Sequence, residues 1–184
     1  ACATLTADIV LNDGTFDEDG NYTPGPSDIP TPTEWTPMGV TDSAAYTGTF
    51  DGAGHTVSNL TVDYTTAASG ERLYLGLFGQ VEGLYRSANK SLAGLFGFTN
   101  GATIKNVKVT GYLRGSEDSS IGSIVVYARS TSVTDCVNTA VINISGISTY
   151  YAGGIVATAS DSSTIRDCVN IGTLKCSFPF MYAE

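Results

Sequence analysis

Four sets of side chains in this 184-residue chain could carry chemistry: one histidine, acids that recur at a set spacing, an acidic run near the start, and four cysteines. His55 lies in the run Asp51-Gly52-Ala53-Gly54-His55. A serine-type hydrolase would need this base to be oriented by an acid and aimed at a nucleophile. A zinc centre would need further His or Cys ligands at short spacing. The sequence holds no Gly-x-Ser-x-Gly elbow, no phosphate-binding glycine loop and no cysteine near His55. His55 therefore reads as a turn residue bonded to local backbone.

The recurring acids are Asp135 and Asp167, each closing a short β-type run, with Arg166 beside the second. If stacked, such carboxylates repel, so one gains proton affinity or both recruit a cation. Strand alternation points Arg166 away from Asp167, and the expectation is a pair of solvated corners bonded to backbone amides. A second acidic group is the run Asp13-Gly14-Thr15-Phe16-Asp17-Glu18-Asp19-Gly20-Asn21. Its alternating oxygen ligands and glycine suit calcium, but the distal bidentate Glu of a complete calcium loop is missing. It reads as a solvated loop, with calcium as the alternative.

Cys2, Cys136, Cys168 and Cys176 match neither a zinc motif nor a redox pair. Cys136 and Cys168 are expected in the core as small hydrophobes, with a disulfide between them as the alternative. Cys176 follows an apolar alternation that would bury it, and Cys2 has no evident partner. No catalytic, cofactor-binding or metal-binding residue is assigned.

The elements that position these residues are short and β-type. Hydrophobic residues make up 42% and charged residues 15%, with 21 Gly and 10 Tyr, a strand-rich composition. Helical periodicity is absent. Self-similarity is the stronger signal. Thr103-Ile104-Lys105-Asn106-Val107 recurs as Ser132-Val133-Thr134-Asp135-Cys136 and again as Thr164-Ile165-Arg166-Asp167-Cys168, and Thr56-Val57-Ser58-Asn59-Leu60 reads as an earlier copy. Ahead of these runs stand Gly94-Leu95-Phe96-Gly97, Gly122-Ser123-Ile124-Val125 and Gly153-Gly154-Ile155-Val156. The last two copies each end in Cys-Val-Asn.

A repeat unit of this size, on the order of 30 residues, cannot bury its own apolar side, so neighbouring units must stack. Alternation places Ile104, Val107, Val109, Val133, Cys136, Ile165 and Cys168 inward, with Lys105 and Lys108 outward. Asn106, Asp135 and Asp167 suit corners, because Asn and Asp tolerate left-handed backbone angles. The expected fold is all-β, a parallel β-solenoid or β-helix, right-handed by the usual crossover preference. It forms a single domain over 1–184, with N-terminal coils in 1–60, a long surface loop at 12–36, and stacked repeats over 61–184. An all-β sandwich is the alternative.

The string from Tyr46 to Leu60, with Leu5-Thr6-Ala7-Asp8-Ile9 and Glu34-Trp35-Thr36-Pro37-Met38-Gly39 before it, resembles the opening of GLUG-repeat modules. Two Gly-Leu-Phe-Gly copies, at Gly76–Gly79 and Gly94–Gly97, and the Cys-Val-Asn endings resemble later repeats of that family. The resemblance runs from about Leu5 to Leu174. It implies a secreted or wall-attached bacterial protein, adhesin-like and repetitive, whose repeats carry no assigned catalytic residues. The two Gly-Leu-Phe-Gly elements follow each other too closely for a full repeat, so Gln80–Ala93 lacks the usual strand and reads as a shortened coil or an insertion.

Nine basic against eighteen acidic residues give a net charge of −9, which excludes a phosphate-tracking surface and disfavours anionic membranes. No run approaches the roughly 20 apolar residues of a membrane helix. Ala1–Leu11 lacks the basic start of a signal peptide and so reads as an excised or processed start.

The expected function is a structural or adhesive module outside the cell, not an enzyme, whose partner is a protein or glycan at the cell exterior or a neighbouring domain of a larger chain. A carbohydrate-binding or polysaccharide-processing β-helix is the alternative, for which Tyr112, Tyr150 and Tyr151 are the aromatics that could bind sugar rings, although packing at coil edges is the favoured reading of them. Ice binding through Thr56, Thr103, Ser132 and Thr164 is a further rival, with only one hydroxyl per coil. Ser177–Tyr182 breaks the repeat and is expected to cap the last coil.

Overall fold

A computed structural model describes residues 2–31, 33, 46–63, 74–75, 91–115, 119–145 and 151–177. Among these, every regular element is a β-strand. All inter-strand pairings are parallel except one hairpin, Thr15–Phe16 against Tyr22–Thr23. Several sequence features lie outside the described residues: Glu34–Gly39, the first Gly-Leu-Phe-Gly element with most of Gln80–Ala93, Tyr150, and the segment after Ser177.

The strands fall into four parallel sheets. Sheet 1 runs Cys2–Thr4, Thr49–Asp51, Thr103–Lys105, Ser132–Thr134, Thr164–Arg166. Sheet 2 runs Ile9–Val10, Thr56–Asp63, Lys108–Gly115, Val137–Asn138, Val169–Asn170, and Val141–Ser145 and Leu174–Ser177 extend it. Sheet 3 runs Tyr74–Leu75, Ser91–Ala93, Ser119–Gly122, Tyr151–Gly153. Sheet 4 runs Phe96–Asn100, Val125–Arg129, Val156–Ser160.

In each sheet the strands stand in chain order, so each repeat unit pairs with the one before it. For reference the stretches are units I (2–11), II (46–63), III (91–115), IV (119–145) and V (151–177). Register follows the sequence repeat, since Ile104 stands beside Val133 and Val133 beside Ile165. The second of these steps is longer than the first. In sheet 4 Arg129 pairs with Ser160, so the lengthening includes one extra residue between Ser160 and Ile165. The turn Asp161-Ser162 absorbs it, with two left-handed residues (φ 49° and 65°) where unit IV has only Ser130.

The core lies between the sheets. Ile104, Val107, Val109, Val133 and Cys136 are all buried to 1% exposure or less, as alternation predicts, with Leu60, Leu113, Ile124 and Ile142 around them. Lys108 is exposed and Lys105 half-buried. The glycines ahead of each repeat have a packing cause. Gly94, Gly122 and Gly153 recur at one place in the repeat, and a β-carbon on any of them would collide with a backbone carbonyl: that of Gly122, Val125 and Val156 respectively.

One sequence equivalence is corrected. Thr56–Leu60 is not the earlier copy of Thr103–Val107. Ile104 pairs with Phe50, and Val57 pairs with Val109. Asn59 sits at an irregularity in sheet 2, where Ser58 and Asn59 face the single residue Thr110. This is the two-against-one count of a β-bulge. The shared hydroxyl–apolar–polar–Asn–apolar pattern marks a left-handed Asn followed by a buried apolar side chain. It reports local conformation, and that conformation occurs in both sheets.

Candidate functional site

The acidic corners behave as the sequence implies in conformation. Asn59, Asn106, Asp135 and Asp167 all have φ of 54° to 55°. The corner amides bond to the following unit, Asn106 N–H to Thr134 O and Asp135 N–H to Arg166 O, each at 3.2 Å. The Asp135 and Asp167 side chains are exposed, so the corner uses their backbone geometry, not their charge. The expected bonds from these carboxylates to backbone amides are replaced by bonds between the backbones of successive units.

Among the described residues, Asp51, which the sequence did not single out, is a carboxylate with three close partners. Lys105 Nζ lies 2.8 Å from Oδ2, the Ala53 N–H donates to Oδ1 at 2.8 Å, and Asn106 Nδ2 donates to Oδ1 at 3.1 Å. Lys105 first, then these donors, hold its pKa down to about 2. A carboxylate so committed is a poor proton acceptor near neutral pH. Its place is structural, joining unit II to unit III.

The His55 ring is bonded, but to a distant carboxylate and not to local backbone as expected. Its Nδ1 lies 3.1 Å from Asp8 Oδ1, which also accepts the Thr56 N–H at 2.9 Å. That amide first, then His55, lowers the Asp8 pKa. Half of a relay is present, but no nucleophile completes it: among the described residues no serine, threonine or cysteine side chain bonds to the ring. The pair joins unit I to the turn of unit II.

Val107, Cys136 and Cys168 form the expected column, linked by Val137 N–H to Val107 O and Val169 N–H to Cys136 O, both 2.9 Å. All four cysteines are free thiols. Burial pushes the Cys136 thiol up to about 12, so it is neutral and unreactive. Cys176, expected in the interior, is exposed. It follows the buried Ile144 in register, but no described strand covers it. Beside the thiol column, the side chain of the buried Asn138 donates to Asn170 Oδ1 at 2.8 Å and accepts the Ala140 N–H at 2.9 Å. This amide ladder explains the Asn of the Cys-Val-Asn repeat.

The acidic loop is not a free solvated loop. Asp17 Oδ1 accepts the N–H groups of Asp19 and Asn21, and Asp13 accepts both the N–H and hydroxyl of Ser27. Asn21 and Ser27, respectively, lower these two carboxylates. Within residues 12–31 the chain folds back at the hairpin of Thr15–Phe16 and Tyr22–Thr23, and the Asp13 and Asp17 oxygens are taken up by donors of the same segment. Among the described residues no three His, Cys, Asp or Glu side chains form a metal-holding group.

Tyr112, a candidate sugar-binding aromatic for which packing is the favoured expectation, is packed beneath that hairpin and only 5% exposed. Tyr151 is exposed at 47% and meets Tyr127 edge-on, with ring centroids 6.0 Å apart. Tyr127 in turn stacks on Phe98 at 4.7 Å, in a column set by the register of sheet 4. The hydroxyl column of sheet 1 is Thr49, Thr103, Ser132 and Thr164, without Thr56. The column two residues on is Thr4, Asp51, Lys105, Thr134 and Arg166. Its charged pair leaves the hydroxyl array one residue wide, too narrow for a flat threonine face.

No family model matches this chain, and no solved structure matches it. Halomucin from Haloquadratum walsbyi is 34% identical over 85 residues, which cover 41% of this chain and 1% of that protein. Among the described residues, no helix is long and apolar enough to cross a membrane.

Proposed function

We propose that this chain is a parallel β-solenoid module of GLUG-repeat type, a spacer or adhesive element of a long protein outside the cell. The observation that carries this reading is that in all four sheets the strands stand in chain order, so that successive repeat units pair side by side in parallel. A chain that winds through four sheets in this way presents repeated outer faces, which suit spacing and display. The groups that could have done chemistry are consumed structurally: Asp51 by Lys105, His55 by Asp8, Cys136 by the core. The likeness to halomucin supports placing the module within a very long chain, since 85 residues are 1% of that protein.

A second reading, glycan binding, is favoured by the exposed Tyr151 against the Phe98–Tyr127 stack. Screening the purified chain on glycan and host-matrix arrays tests both. Retention of one ligand class, lost in Tyr151→Ala, places binding on sheets 3 and 4. Turnover of a polysaccharide at catalytic protein concentrations would overturn the non-enzymatic reading.

A further inference from the structure

We infer that the hairpin excursion of residues 12–31 is a latch that holds unit V to the N-terminal part of the stack. Stacked repeats interact with nearest neighbours, and among the described strands those of unit V pair with unit IV alone, so unit V can open apart from the rest. Inward positions of unit V are poorly covered, with Ile165 at 41%, Val169 at 50% and Leu174 at 45% exposed. The latch crosses the intervening units on the outer side of sheet 2, and the inference needs only the observed pairings, whatever the outer faces bind.

Its root is a polar knot. Asn12 Nδ2 donates to Asn59 O at 3.0 Å, Asn12 Oδ1 accepts the Thr33 N–H at 2.7 Å, and Asn59 Nδ2 donates to Asn12 O and Gly14 O at 2.6 and 2.7 Å. The bulge at Asn59 turns that side chain toward the excursion. The middle is aromatic: Phe16 stacks on Tyr112, centroids 6.2 Å apart, and packs on Tyr22 at 5.0 Å. Gly20, at φ 86°, lies so close over the Tyr112 ring that a β-carbon would strike it. The Tyr112 hydroxyl donates to Asp19 O at 3.1 Å and accepts from Asn143 of unit IV at 2.8 Å.

The tip reaches unit V. Lys175 Nζ donates to Glu18 O at 2.6 Å and lies 3.2 Å from Asp19 Oδ1 and 3.6 Å from Glu18 Oε2. The partners are far apart in the chain and meet only through the fold. The root and middle are anchored by hydrogen bonds and rings, while the tip is ionic and exposed, hence the part that salt releases.

Amide hydrogen exchange on the whole chain tests this. The reporters in unit V are Val169 and Ile171, bonded to Cys136 O and Asn138 O; the controls in unit IV are Val137 and Thr139, bonded to Val107 O and Val109 O. Lys175→Met is expected to speed exchange at the unit V reporters roughly fivefold and to leave the controls unchanged. Salt at about 1 M should reproduce that change in the native protein and add little to the variant. Unchanged unit V reporters, an equal rise at all four amides, or an equal salt effect on both proteins would each overturn the latch. Tyr112→Phe, which keeps the ring and loses both hydroxyl bonds, should loosen the Gly20 amide without freeing unit V.

Discussion

Units IV and V carry nearly the same sequence signals in different surroundings. Ser132–Asn138 and Thr164–Asn170 share their pattern, their register, and a left-handed acid at φ 54° and 55°. Yet Val133 is fully buried and Ile165 is 41% exposed, while Ile142 is 1% and Leu174 45% exposed. The motif sets the backbone, and a neighbour on each side sets the burial. Val133 has a paired strand on both sides and Ile165, among the described strands, on one, and that second strand separates their burial. Solvent removal, not local conformation, is the source of a core residue's stabilisation.

The comparison is broken most directly by deleting equivalent side chains. Ile142→Ala should cost about 2–5 kcal/mol through lost transfer and a cavity. Leu174→Ala should cost under about 1 kcal/mol, with chemical denaturation as the measure. Equal losses would mean that unit V is covered in solution. Thiol labelling sharpens the same contrast: Cys176 and Cys2 should react fastest, Cys168 more slowly, and Cys136 roughly a hundredfold slower than Cys176. Comparable rates for Cys136 and Cys176 would show that the core of unit IV opens freely.

The corners test what the two units share. Asp135→Val forces a β-branched residue to a left-handed angle and should cost about 1–2 kcal/mol, whereas Asp135→Gly should be nearly neutral. Asp167→Val should cost less in global stability, because unit V opens before the rest. Denaturation midpoints of the three variants check the order.

The smallest effect concerns acid. Asp51, with its pKa depressed to about 2, contributes stability that is fully present above its unfolded pKa of about 4. That contribution is lost as pH falls through about 2. Asp8, Asp13 and Asp17 are shifted the same way. Melting temperature should therefore decline between about pH 4 and pH 2. Asp51→Asn should flatten part of that slope, and an unchanged slope would remove Asp51 from the pair with Lys105.

Much of the repeat was legible, because its causes are local. A left-handed Asn or Asp, an alternating inward residue and a glycine too crowded for a β-carbon each leave a mark at a fixed place in every unit. The same locality misled at Thr56–Leu60, where a left-handed Asn before a buried Leu belongs to a bulge in sheet 2 and not to sheet 1. Cys176 was misjudged for the opposite reason, and the cover that packs Tyr112 left no local mark. Tyr112 is covered by a hairpin from far earlier in the chain, and among the described residues no strand supplies the cover for Cys176 that alternation alone assumes.

By itself, then, the sequence determined the strand content, the period of the repeat and the residues that face inward, because these follow from backbone sterics and side-chain alternation along a strand. Only the tertiary structure decided which inward residues are truly buried, that Asp51 and not Asp135 is the engaged acid of sheet 1, and that the 12–31 hairpin reaches Lys175. Those outcomes depend on which distant segments meet, and desolvation and ion pairing take effect only once they do.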